Sequence, residues 1–263
     1  MENPNQLQNN PEQPNKKTSR SETGHAQMVA NFDTLILFLI ALGSVFNPSK
    51  AALKIPALQA LLANARNALS AVNAAISTYS GAVVAREVAF ASLGKLATRI
   101  INALKATDAP DQLVQNARTY VRKLQGARAN TSGSASALLA NSNAIEPKQI
   151  SVAQLSYNSR LDHFDKLIKL VAGIPLYAPN ENDLKVETLT ALYNNLLAKN
   201  TAVIAATVPL SNARIARNQI LYNPQTGLVD IALETKTYVK SVFGATSPQY
   251  KQIAAIEFKN RKN

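Results

Sequence analysis

Cysteine is absent from this 263-residue chain, which removes disulfides, thiolate metal sites and cysteine nucleophiles together. Tryptophan is absent too, and aromatic residues make up only 6%, so cores or pockets built on large rings are not expected. Glycine is scarce, at 9 residues, while Ala, Leu, Asn and Lys are common, a balance that favours helix over sheet. The glycine-rich phosphate and dinucleotide motifs are missing, and so is the strand–Ser–helix elbow of the hydrolases. No secretory signal is evident, and a cytoplasmic location is expected.

Hydrophobic residues make up 46%, enough for a folded chain. The formal charge is +12. Residues 1–27 contribute three positive and three negative groups, residues 28–150 twelve and five, and residues 151–263 thirteen and eight. The excess is therefore spread over the folded part. Such a field suits polyanions, and equally a well-solvated basic surface.

An internal repeat organises the rest. At a shift of 131 residues, positions 51–87 align without a gap on positions 182–218 with 14 identities in 37. Leu53-Lys54 falls on Leu184-Lys185, Ala60-Leu61 on Ala191-Leu192, and Ala85-Arg86 on Ala216-Arg217. Phe32-Asp33 with Leu35-Ile36 matches Phe164-Asp165 with Leu167-Ile168 at a shift of 132. This pattern predicts an all-α protein of two tandem, duplicated antiparallel helical bundles, spanning 28–128 and 151–263. A disordered polar tail (1–27) and a linker (129–150), rich in small and polar residues, are expected around them. In the second copy Leu161, Phe164, Ile168 and Val171 recur at helical spacing. Asn182 or Asp183 is expected to cap the next helix, and Pro209 to turn or kink it. Asn223–Gly227 reads as a firm break.

The most apolar run, Thr34–Leu42, lies in an uncharged stretch of 16 residues between Asp33 and Lys50. That is short of the ~20 needed to span a bilayer, so a buried first helix is expected and no membrane span. Of the two histidines, His25 falls in the tail. His163 is flanked by Asp162, Phe164 and Asp165, with no second ligand at helical spacing, and no metal site is expected.

The duplicated Asp33/Asp165 and Arg86/Arg217 read as structural ion pairs that fasten the first helix to a later one. A phosphate or carboxylate contact is the alternative for the two arginines. Lys95, Arg99, Arg118, Arg122, Lys123 and Arg214 form loose basic stripes, the candidate polyanion contacts. No recognised DNA- or RNA-binding motif accompanies them. Catalytic residues, cofactors and a small-molecule substrate are not expected.

Phe164-Asp165-Lys166-Leu167-Ile168, Tyr177-Ala178-Pro179-Asn180-Glu181, Ser211-Asn212-Ala213-Arg214 and Tyr238–Gly244 complete the picture. With these segments the chain resembles uncharacterised helical proteins of flavobacteria and other Bacteroidota, mainly over 151–260. The resemblance implies no activity. The reading is a non-enzymatic interaction or assembly protein, whose partner is another protein or a second copy. The alternative is sequence-nonspecific nucleic-acid binding through basic helix faces.

Overall fold

The computed structural model describes residues 23–126 and 155–260. The expected linker and most of the expected tail lie outside them. Among the described residues the regular structure is helical throughout, with no strand.

The first helix, α1, covers Thr23–Ala41. It takes in His25, which the sequence reading placed in the tail and which is buried. Val29, Phe32, Leu35, Ile36 and Leu39 form its buried row. Gly43 then adopts φ +61, a left-handed conformation that ends the helix. Two short 3-10 turns follow, Gly43–Val45 and Ala51–Leu53.

Helix α2 runs Ile55–Phe90, with Pro56 in its first turn, where a missing N–H is harmless. Helices α3 (Leu93–Lys105) and α4 (Asp111–Gln125) complete the first half. The turn between them is closed by Thr107, whose hydroxyl donates to the Leu104 carbonyl at 2.7 Å. Asp111 opens α4 and Arg122 and Lys123 close it, each suited to the helix dipole. Gly126, at φ +72, caps the end.

Helix α5 (Tyr157–Ala172) starts at Ser156, whose side chain accepts the Ser159 N–H at 3.1 Å. Asn182 and Asp183 do not cap the next helix as expected. They belong to a 3-10 turn, Asn182–Leu184, and α6 begins after it. Helix α6 (Val186–Tyr222) is continuous through Pro209. Proline removes one backbone bond there, normally a cost of ~3 kcal/mol. Ala205, whose carbonyl loses its donor, is exposed, so water can take its place.

The break at Asn223–Gly227 forms as expected. A Cβ on Gly227 would come within 2.6 Å of the Asn223 nitrogen, so only glycine fits. Helices α7 (Leu228–Phe243) and α8 (Pro248–Ala254) end the described chain.

The helices form two compact units, and these are drawn differently from the two expected bundles. Unit 1 joins the chain up to Ser70 with Ala216 onward, and unit 2 is Ala71–Ile215. Each has its own closed core. In unit 1, Phe32, Leu35 and Leu39 of α1 pack with Leu58 and Leu62 of α2 and with Leu228, Ile231 and Val239 of α7. In unit 2, Ala97, Ile100 and Leu104 of α3 pack with Val114 and Val121 of α4 and with Leu161, Phe164 and Leu167 of α5. Each core thus combines helices from both of the expected bundles. Helical spacing marks which face of a helix is buried but not which helix covers it, so the sequence could not show this exchange.

By length and composition alone, α1 and a stretch within Ile55–Lys105 are apolar enough to cross a membrane. In the folded chain the apolar row of α1 fills the core of unit 1.

Candidate interaction surfaces

The expected pairs of Asp33 with Arg86 and of Asp165 with Arg217 are replaced by others. Asp33 takes Arg66 of α2 at 2.7 Å. Asp165 takes Lys169, one turn along its own helix, at 2.6 Å. In both cases a nearer cation reaches the carboxylate first. Arg217 is buried and donates to the side chain of Asn218 at 2.8 Å.

Arg86 has a different role, inside unit 2. Its guanidinium lies 3.9 Å from the centre of the Tyr157 ring and donates to Asn200 Oδ1 at 3.2 Å. Asn200 is only 5% exposed and passes the chain on to Asn158 Oδ1 at 2.6 Å. Within unit 2 the other inward positions of α6 are Leu189, Leu196, Val203, Ala206 and Leu210, and on α2 they include Val72 and Phe90. Arg86 and Asn200 therefore form one polar layer in an apolar seam, a device that fixes helix register. Phe90 stacks edge-on against Tyr157 at 4.9 Å and closes the layer. Its carbonyl accepts from Arg160, whose burial lowers the guanidinium pKa.

The candidate polyanion contacts divide. Arg99 is occupied: it forms a forked ion pair with Asp183, which raises its pKa and lowers that of Asp183. Lys95 and Arg214 are exposed on α3 and α6, and Lys123 is half-buried on α4. Arg118 and Arg122 line one groove on the α3–α4 pair, together with Lys105. Lys105 was not among the expected contacts, because it belongs to another helix and only the fold brings it beside them.

A second hollow of ≈ 540 Å³ lies between α3 and the loop before α6, lined by Arg99, Asn102, Tyr177 and Glu181. Its tyrosine is not an activated acid. Tyr177 donates to the Leu184 carbonyl at 2.9 Å, and burial pushes its pKa up to about 12. The folded chain keeps this proton above pH 10, where an unfolded tyrosine loses it. Stability is therefore expected to fall as pH rises from about 10 to about 12, and to level off above that. Tyr177→Phe should remove this part of the decline and cost about 1 kcal/mol at neutral pH for the lost hydrogen bond. Urea titrations of both proteins at pH 9, 10 and 11 check this, and parallel pH profiles would contradict it. Elsewhere, burial lowers the pKa of His163. Among the described residues no three His, Asp or Glu side chains gather as a metal site would require.

One surface feature escaped the sequence reading. Leu197, Ile204, Val208 and Ile215 are 41%, 57%, 58% and 55% exposed. All four belong to α6 and to unit 2, at spacings of seven, four and seven residues. Leu197 and Ile204 directly follow the inward Leu196 and Val203, which hid the row inside what reads as one helical pattern. No charged residue occurs from Asn200 to Ala213, nor on α2 between Arg66 and Arg86. No family model, curated protein or solved structure matches the chain.

Proposed function

We propose that this protein is a non-enzymatic assembly protein that associates with a second copy of itself through α6. The observation that carries the reading is the exposed apolar row Leu197, Ile204, Val208 and Ile215, whose two central residues lie on a stretch of helix, Asn200–Ala213, with no charged residue. An exposed row of this kind marks an interaction surface more readily than a solvated face. The spacing of seven, four and seven reads the same in both directions. A second copy laid antiparallel therefore matches it, with Ile204 against Val208 at the centre and Leu197 against Ile215 at the ends. That is the self-complementarity a two-fold interface requires. Exposed Ala71 and Ala74 on α2 belong to the same unit and add a second small-residue surface. Light scattering across a wide concentration range tests the proposal. A mass that doubles with concentration is expected, and a monomer throughout would overturn it. The net positive charge repels a second copy, so added salt should strengthen association.

The same reading includes a duplication whose copies are built to exchange. Two ion pairs support it. Lys50 pairs with Glu234 in unit 1, and Arg99 with Asp183 in unit 2. At the 131-residue shift Lys50 matches Glu181, two residues before Asp183. Leu93 and Leu228 open α3 and α7, so Arg99 and Glu234 share the next equivalent place, six residues in. The two pairs thus occupy similar places, two residues apart in register, with their charges reversed. Had each copy closed on itself, Lys50 would lie near Arg99, and Asp183 near Glu234. Like charges oppose that arrangement and opposite charges favour the observed one. Both pairs are exposed, so solvent screens them and each contributes little. Glu234→Lys should destabilise slightly, and adding Lys50→Glu should restore most of the loss. A double-mutant cycle in urea with zero coupling for this pair, and for Arg99 with Asp183, would remove the charge argument.

A further inference from the structure

A groove of ≈ 530 Å³ runs along the α3–α4 pair. Among the described residues its charged lining is Lys105, Arg118 and Arg122, with no carboxylate. The nearest acidic residues in sequence, Asp108 in the turn and Asp111 at the start of α4, lie at one end of the pair and do not line the groove. Elsewhere in unit 2, Asp162 pairs with Lys166, Asp165 with Lys169 and Asp183 with Arg99. Among the described residues none of the three has an ion-pair partner, and cations so placed on two packed helices repel one another, a cost that a bound anion relieves.

We propose that this groove binds the phosphodiester backbone of single-stranded nucleic acid through Lys105, Arg118 and Arg122. The inference is independent of self-association, which uses a face of α6. Arginine forks match phosphate oxygens in two-point contacts. Arg118 and Arg122 are one helical turn apart, about 6 Å, which suits neighbouring phosphates of a flexible strand. Lys105 comes from the other helix and adds a third contact. Asn102, Gln115 and Thr119 supply neutral donors along the same walls. Among the described residues no aromatic side chain lines the groove, so bases find no stacking platform there and the site reads backbone without sequence preference.

Three phosphate contacts on a single strand imply a salt slope near −2, hence roughly twentyfold weaker binding at 200 mM than at 50 mM salt. The test is anisotropy of a fluorescein-labelled oligothymidylate, about twenty nucleotides long, with the full chain at both salt concentrations. Arg118→Gln with Arg122→Gln should weaken binding at least about tenfold without changing the helical circular dichroism. Lys95→Gln, on α3 but outside the groove, should change it by less than about twofold. If the double variant melts early, Lys105→Gln reads the same groove and should weaken binding several-fold. The proposal is overturned if the oligonucleotide does not bind at 50 mM salt. It is overturned equally if the folded groove variants bind like wild type, or if Lys95→Gln weakens binding as much as they do. A rise in melting temperature with inorganic pyrophosphate, and no oligonucleotide binding, would assign the groove to a small phosphate and overturn the nucleic-acid source.

Discussion

Replacing Ile204 and Val208 by glutamate is expected to leave a monomer at every concentration where the unaltered chain associates. Both side chains are more than half exposed on α6, so the folded monomer loses little packing. In an antiparallel pair the two positions lie opposite each other at the centre. The double variant would bury four carboxylates there with no cation between Asn200 and Ala213 to meet them. Leaving one unpaired charge buried costs about 3–5 kcal/mol. The dissociation constant should therefore rise by at least about a thousandfold, at 1.4 kcal/mol for each factor of ten. Melting temperature at low concentration should change little. Sedimentation equilibrium of both proteins at matched concentrations provides the measurement. An unchanged association constant would mean that α6 is not the interface, even if the chain self-associates.

The largest loss of stability is expected from Phe164→Ala. Phe164 is fully buried in unit 2, among Leu161, Leu167 and Val171 of α5 and the facing residues of α3 and α4. Truncating a buried phenylalanine costs about 3–5 kcal/mol, because transfer and cavity terms add. For a unit of this size that lowers the melting temperature by on the order of 10 °C. Phe164→Leu keeps most of the volume and should cost less than half as much. Phe32 is the matching residue of α1 and is as completely buried, but in the core of unit 1. Its replacement by alanine should be comparably costly. Because the cores are separate, the two losses should add within a few tenths of a kcal/mol. Urea denaturation followed by circular dichroism checks both. A loss below about 1 kcal/mol for Phe164→Ala would contradict the closed core.

These residues also show where sequence reasoning reaches its limit. Phe164, Ile168 and Val171 were identified as core from their spacing, because burial on a helix repeats every three or four residues. Arg118 and Arg122 were legible as one basic stripe for the same reason. Lys105 was not, since it joins them only across the α3–α4 turn. The row from Leu197 to Ile215 was hidden because Leu197 and Ile204 adjoin the inward row and read as part of it. The pairing of Asp33 and Asp165 with Arg86 and Arg217 followed the repeat, whereas the carboxylates took the closer cations Arg66 and Lys169. Pro209 was expected to break or kink a helix, and α6 runs through it where its lost bond is exposed.

The sequence by itself determined the helical class, the buried faces, most of the breaks and the lack of thiol chemistry. These depend on composition and on neighbours within a turn or two, which the linear order contains. The tertiary structure alone decided which helices share a core, which cations remain uncompensated and which apolar residues face solvent. Those outcomes depend on contacts between separate segments, some of them more than a hundred residues apart, such as Lys50 with Glu234. Helical periodicity marks the face of each helix that must be covered, but the cover is chosen by packing and charge between distant segments.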